Sequence, residues 1–345
     1  MKILVTGTEG YIGARLAPWL AAAGHEVSGL DAAFYRDGCL YVDPLAMPVA
    51  PPTTYKDLRH VQAKDFAGFD AVIHLAELSN DPLGQNRPEL TFRINHEGTL
   101  RIADAARAAG VARFVYASSC SVYGVGSGDI LDETAPSNPQ TAYAECKVRV
   151  ERDLLPLASE RFSVVFLRNA TAYGPSPRMR FDIVLNDLCA LAHTRRKIAM
   201  ISDGSPWRPI VHLEDICEAM RCAVEAPSAA VNGEVFNVGK SGENYRVREI
   251  AAIVADAFPG CEVSAGPPSS DNRSYRVSFD KIEARLPGFA ARWTAADGAR
   301  ELARLFARIE LSPETHALRA FTRLKQIKYL QSTGQVDDDL YWRPR

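Results

Sequence analysis

The sequence predicts an α/β protein built on a doubly wound parallel sheet, with a smaller C-terminal α/β portion. Three observations carry that prediction. Short β-branched runs alternate with helical patterns as far as Arg168; the first such unit holds a glycine-rich turn between strand and helix; and beyond Arg168 the alternation gives way to turn-rich segments with clustered arginine.

Lys2-Ile3-Leu4-Val5-Thr6 is apolar without alternation, the pattern of a strand buried on both faces. Gly7-Thr8-Glu9-Gly10-Tyr11-Ile12-Gly13 follows at once, then a helical pattern through Leu16, Leu20 and Ala23 that Gly24 ends. His25 to Asp31 reads as the second strand. Strand, glycine turn, helix, strand and acid is an order suited to a dinucleotide. Glycine permits the tight turn, and the free N–H groups and macrodipole of the helix start favour a pyrophosphate. Gly7, Gly10 and Gly13 are spaced Gly-x-x-Gly-x-x-Gly, one residue away from the Gly-x-Gly-x-x-Gly of many dehydrogenases. Asp31 closes the second strand, where a carboxylate can accept both adenosine ribose hydroxyls and would repel a 2′-phosphate. NAD is therefore expected over NADP, although Arg36 lies close by in the chain.

Residues 39–55 are proline-rich and aperiodic and read as a loop. Strand signals resume at Asp57-Leu58 and at Ala71 to Ala76, where the apolar run ends in small residues suited to backbone passing under a dinucleotide. His74 reads as a packed strand-end histidine rather than a catalyst. Arg93 to Thr99 opens a helix through Ile102, Ala105 and Ala109, and Phe114 to Ser119 is a buried strand ending in hydroxyls.

Tyr143-Ala144-Glu145-Cys146-Lys147 opens the next helix. Residues four apart share a face, so the Tyr143 phenol and the Lys147 ammonium can point into one space. A cation beside a phenol lowers its pKa from roughly 10 toward neutrality. That makes a proton acceptor for an alcohol. Glu145, two residues from Tyr143, faces away, and Cys146 reads as packing. The helix reaches about Ser159, and Ser163 to Arg168 is one more strand.

Tyr173 to Arg180 is turn-rich, followed by a helix at Ile183–Ala192, a loop into a strand at Ser202–His212, a helix from Asp215 to Val224 and a strand at Val235–Gly239. Helices are expected near 247–257, 294–309 and 313–332, and Asp337-Asp338-Asp339 reads as an acidic, mobile tail. The division expected is a first unit over 1–170, to which 209–239 return, and a mainly substrate-binding unit over 171–345.

Composition bounds the function. The chain has 345 residues, 47% hydrophobic and 24% charged, with a net charge of −2, so nothing global points to nucleic acid or an anionic membrane. Seven scattered cysteines without a Cys-x-x-Cys pair suggest reduced thiols in a cytoplasmic protein and no metal site. No apolar run approaches the roughly 18 residues of a membrane span. The N-terminal apolar run is a strand rather than a signal peptide.

Taken jointly, Thr6 to Gly13, Asp31, Asp57-Leu58, His74-Leu75-Ala76, Asn95, Ser118 to Gly124, Tyr143 to Lys147, Arg168 to Pro175 and Arg208 to Asp215 resemble the extended short-chain dehydrogenase/reductase superfamily. The likeness covers essentially the whole chain and is to the branch of NAD-dependent nucleotide-sugar epimerases and dehydratases typified by UDP-glucose 4-epimerase. It implies a Rossmann domain holding NAD. Gly7, Gly10, Tyr11, Ile12 and Gly13 would hold the pyrophosphate, Asp31 the ribose, and Asp57 and Leu58 the adenine. Leu75 and Ala76 would border the cofactor, with Asn95 below the nicotinamide. Tyr143 would be the base, and Lys147 would bind the nicotinamide ribose. Ser119 would hydrogen-bond the reacting hydroxyl, with Ser118 the alternative by register. Arg208 would grip a nucleotide diphosphate, with Arg178, Arg180, Arg273 and Arg276 as further candidates. Thr171 stands where family members often have a substrate-touching asparagine, and Asn169 is displaced by two.

One departure bears on the reaction. Sugar 4,6-dehydratases of this family carry an Asp-Glu pair after the strand-end hydroxyl, and decarboxylating relatives keep a glutamate there; this chain has Cys120-Ser121. The expectation is an epimerase acting at C4 through a 4-keto sugar, with a 4-dehydrogenase or keto-sugar reductase using the same parts. The family also implies a homodimer packed through helices at about 96–109 and 142–158.

Overall fold

Seven strands hydrogen-bond in parallel into one sheet: β1 (Lys2–Thr6), β2 (Glu26–Asp31), β3 (Thr53–Tyr55), β4 (Ala71–His74), β5 (Arg113–Ser119), β6 (Ser163–Asn169) and β7 (Val235–Val238). Their order is β7-β6-β5-β4-β1-β2-β3, so the winding reverses between β1 and β4. Crevices at the carboxyl ends of such strands are where open α/β sheets bind ligands. The computed structural model describes residues 1–42, 50–79, 81–268 and 273–344.

Side chains alternate across the sheet, and each face collects its own core. Ile3 and Val5 of β1 pack with Leu16 and Leu20 of helix α1 (Gly13–Ala22), while Leu4 joins Val72, Phe114 and Tyr116 on the opposite face. That opposite face is covered by α2 (Gly98–Ala108) and α3 (Ala142–Leu154), which contribute Ile102, Val150 and Leu154. Burying each such aliphatic side chain contributes about 1.5–3 kcal/mol. The strands lack polar alternation because both faces are covered.

A third core forms outside the sheet. Helices α4 (Val184–Arg195), α5 (Leu213–Glu225), α6 (Val247–Ala257), α7 (Ala295–Arg308) and α8 (Arg323–Ser332) complete the long helices. Leu185 and Leu188 of α4, Ile250 and Val254 of α6, and Leu302 and Phe306 of α7 pack together around Phe181. Helix α5 returns instead to the main sheet, placing Met220 against Val165 and Leu167, beside β7. Helix α7 starts where Thr294 and Asp297 cap each other reciprocally.

Four expectations change. The stretch 39–55 is not wholly loop, since Thr53–Tyr55 pairs with β2 as the sheet edge; residues 43–49 of that stretch lie outside the described residues. Asp57-Leu58 falls after this strand and opens a short 3-10 turn instead. The helix expected over 313–332 is broken into Pro313–Ala317, a 3-10 turn at Arg319–Phe321 and α8, because Leu318 and Thr322 adopt extended backbone. The acidic segment is no mobile tail. Val336 bridges to Trp342, Leu340 is buried, and Asp339 pairs with Arg93 at 3.0 Å. Among the described residues no helix is long and apolar enough to cross a membrane.

Candidate active site

A cavity of about 760 Å³ opens over the carboxyl ends of the central strands. Its lining includes Gly7, Gly10, Tyr11, Ile12, Gly13, Asp31, Leu58, Leu75, Ala76, Ser119, Tyr143, Lys147, Thr171, Arg180, Arg208 and Arg273. The fold thus brings most of the sequence-predicted positions to one space.

At the glycine turn the reason for glycine is steric. Gly7 has a φ of 82°, and a side chain on Gly13 would meet the Gly7 carbonyl oxygen at 2.1 Å. The turn is then tied down. Tyr11 Oη donates to the Gly174 carbonyl at 2.7 Å and accepts from Asn186 Nδ2 at 3.1 Å. Asp31 accepts from the backbone N–H groups of Glu9 (2.9 Å) and Ala33 (2.6 Å). Burial pushes its carboxyl up to about 6, with those two hydrogen bonds opposing the rise.

Beneath the cavity His74 joins β1, β4 and α2. The Thr99 hydroxyl donates to the Asn95 carbonyl at 2.6 Å, so His74 Nε2–H must donate to Thr99 Oγ1 (2.8 Å) and Nδ1 accept from Thr6 (2.7 Å). Burial holds the imidazole down, near a pKa of about 3. It is a neutral structural bridge.

Helix α3 presents the tyrosine and lysine. Thr141 caps it, accepting from Ala144 N–H at 3.2 Å, and so fixes the first turn in which Tyr143 stands. Lys147 Nζ lies 5.3 Å from the Tyr143 ring centroid, donates to the Ala117 carbonyl at 2.5 Å and sits 2.6 Å from Glu77 Oε2. The second Glu77 oxygen accepts from Tyr116 Oη at 2.7 Å. Burial pulls the lysine pKa down, but Glu77 and Tyr143 outweigh it and the net direction is up.

At the end of β5 the two serines separate. Ser118 is buried and donates to Glu151 at 2.5 Å, whereas Ser119 accepts from Ser121 N–H at 3.1 Å. Cys120 is buried with Sγ against the Arg168 carbonyl at 3.1 Å, and burial drives its thiol far above the ordinary range. Ser121 Oγ and Asn169 Oδ1, both on cavity-lining residues, are buried without a hydrogen-bond partner among the described residues.

Four predicted residues do not line the cavity. Asp57 caps its own turn and pairs with Arg59 at 2.5 Å. Asn95 is fully buried and clasps Leu78, accepting from its N–H at 2.9 Å and donating to its carbonyl at 3.1 Å. Arg178 forms an ion pair with Glu9 and donates to the Arg36 carbonyl. Arg276, also outside the lining, lies 5.1 Å over the Trp207 ring. Of those that do line it, Arg180 pairs with Asp182 at 2.8 Å, and Arg208 donates to the carbonyls of Trp207 and Arg273.

Sequence reasoning missed Glu77, Asp182 and Arg323, all in the lining. A signal existed for the first. A carboxylate directly after the apolar run Ala71 to Ala76 lies at the carboxyl end of a buried strand.

The model of the NAD dependent epimerase/dehydratase family matches residues 3–239. The chain belongs to that family. Its cofactor is NAD, and the residues present fit a dinucleotide: a glycine turn closed to side chains, helix N–H groups behind it and a carboxylate at the end of β2. This family member is 30% identical to a UDP-glucose 4-epimerase of Mycolicibacterium smegmatis, over 89% of this chain and 98% of the relative. It is 28% identical to a dTDP-glucose 4,6-dehydratase of Streptomyces niveus, over 87% and 91%. Among solved structures, MoeE5 in complex with UDP-glucose and NAD superposes with a TM-score of 0.76 at 26% identity, covering 90% of this chain and all of that one.

Proposed function

We propose that the protein is a nucleotide-sugar epimerase acting at C4 through a 4-keto intermediate. The observation that carries this is the pairing of a hydride-transfer set with an absence. Tyr143, Lys147 and Ser119 line one cavity, while positions 120 and 121 hold a buried thiol and a neutral hydroxyl. A dehydratase needs a general acid and a base there, and neither group serves.

Tyr143 Oη takes the proton of the sugar hydroxyl, with Lys147 placed so that its charge favours the phenolate. Ser119 donates a hydrogen bond to the same oxygen as it becomes a carbonyl. Bound NAD supplies the hydride acceptor and, in the return step, the donor. Tyr143 then gives its proton back to the opposite epimer. The glycine turn and Asp31 would hold the cofactor, and Arg180, Arg208 and Arg273 would face the diphosphate of the sugar nucleotide. Asp57, Asn95 and Arg178 would act by supporting the cavity wall.

A 4-dehydrogenase or keto-sugar reductase uses the same groups and is the second reading. Incubation with a panel of UDP-, dTDP- and GDP-sugars separates them. Epimer formed without net NADH supports the proposal, and stoichiometric NADH with released ketone sinks it. Seven free thiols suit a reducing cytoplasm. A homodimer through α2 and α3 completes the proposal, tested by light scattering.

A further inference from the structure

Arg323 is the first residue of α8, is 2% exposed and lines the cavity. Its guanidinium lies 4.1 Å over the Tyr35 ring and, among the described residues, makes no hydrogen bond or ion pair. The neighbouring carboxylates are already engaged. Asp182 is taken by Arg180 Nε (2.8 Å) and by the backbone N–H of Arg323 itself (3.2 Å). Asp31 is taken by Glu9 and Ala33 N–H groups. Arg323 and Arg180 repel each other, and burial together with that repulsion pulls Arg323 down to about 10. A buried cation without a direct ion-pair partner is costly unless a ligand supplies one.

We propose that Arg323 binds the pyrophosphate of the dinucleotide, so that the C-terminal segment forms part of the cofactor site. A guanidinium fork matches phosphate oxygens. The location selects the dinucleotide over the sugar nucleotide. Arg323 is close enough to Asp31 to act on its charge, and it stacks on Tyr35, four residues beyond β2. Asp31 disfavours the other phosphate source, the 2′-phosphate of NADP. The segment carrying Arg323 is anchored on both sides of the cleft. Phe321 packs on Phe181 at 5.6 Å, Gln326 donates to the Phe34 carbonyl at 2.9 Å, and Trp342 donates to the Ala32 carbonyl at 2.6 Å.

The inference concerns the cofactor and can fail while the epimerase proposal stands, because the test needs no turnover. Calorimetric titration of NAD, ADP-ribose, adenosine, NADP and UDP into full-length wild type, Arg323→Gln and Arg323→Lys provides it, on protein stripped of nucleotide. Arg323→Gln is expected to weaken NAD and ADP-ribose by about tenfold to a hundredfold and adenosine by less than about twofold, with partial recovery in Arg323→Lys. The melting temperature of the stripped Gln variant should equal or exceed that of wild type, since an uncompensated charge is gone. Wild-type affinity for NAD in the Gln variant overturns the proposal. So does an equal loss for adenosine, which would mark a role in folding, a loss confined to NADP, which would mark the 2′-phosphate, or a loss confined to UDP, which would mark the substrate.

Discussion

The Lys147 ammonium and the Glu77 carboxylate form a buried ion pair at 2.6 Å, with side chains 4% and 2% exposed. It ties α3 to the end of β4 at the point where proton transfer is proposed. The same carboxylate accepts from Tyr116, and its charge opposes that of the lysine which should polarise Tyr143.

Glu77→Gln removes the opposing charge while keeping a hydrogen-bonding side chain. Lys147 then acts undiluted on Tyr143, and the acid limb of kcat/KM is expected to move to lower pH. The variant should also lose about 3 kcal/mol of stability, because breaking a buried pair strands a charge. A pH–rate profile and a urea titration measure the two effects separately. An unmoved acid limb would count against coupling between Glu77 and the base.

Tyr143→Phe should lower kcat by about a hundredfold to ten-thousandfold, the range for losing a general base. Ser119→Ala should cost about a hundredfold or more through loss of the donor to the developing charge. Ser118→Ala should affect folding stability instead, since Ser118 serves Glu151. Steady-state kinetics with circular dichroism on each variant distinguishes these.

Cofactor affinity should depend on pH through Asp31. In the proposed site its ionised form accepts the ribose hydroxyls, and burial raises the carboxyl to about 6 in the free protein. Affinity for NAD is therefore flat above that value and falls as pH drops below it, by up to about tenfold per unit. Asp31→Asn should abolish the slope. Titrations at several pH values between neutrality and 5 test it.

His74 should contribute to acid sensitivity. In the folded protein it stays neutral down to about 3, whereas the unfolded group protonates at its ordinary 6.5. Between those values the unfolded chain binds the extra proton, so stability is full above 6.5 and lost as pH falls, at up to about 1.4 kcal/mol per unit. His74→Gln should reduce that slope by one proton in denaturant titrations.

The docked C-terminus should owe its hold to apolar contacts rather than charge. Asp339 and Arg93 are 42% and 41% exposed, so solvent screens their pairing and Asp339→Ala should leave the unfolding midpoint nearly unchanged. Leu340 is buried at 1%, and Leu340→Ala should cost about 2–5 kcal/mol. Unfolding curves of the two variants decide which interaction dominates.

The sheet and its helices were legible because their signals are local. β1 is uniformly apolar since both faces are covered, and the Gly7, Gly10 and Gly13 spacing follows from the turn itself. Tyr143 and Lys147 could be paired because one helix sets their separation. What stayed hidden depended on partners distant in sequence. Arg178 and Arg180 look equivalent on paper, yet one pairs with Glu9 outside the cavity lining and the other with Asp182 inside it. Asp57 loses its expected role to Arg59, two residues on. Three consecutive aspartates suggest solvent, and only the fold reveals that Arg59, Arg87 and Arg93 meet that segment.

The contact between Trp342 and the Ala32 carbonyl joins residues 310 positions apart. During synthesis the first strands emerge early, but the wall beside β2 cannot be finished until the chain has been made as far as Trp342. A chain stopped short by a stalled ribosome or a clipped end would keep every glycine of the turn and still present an unfinished pocket.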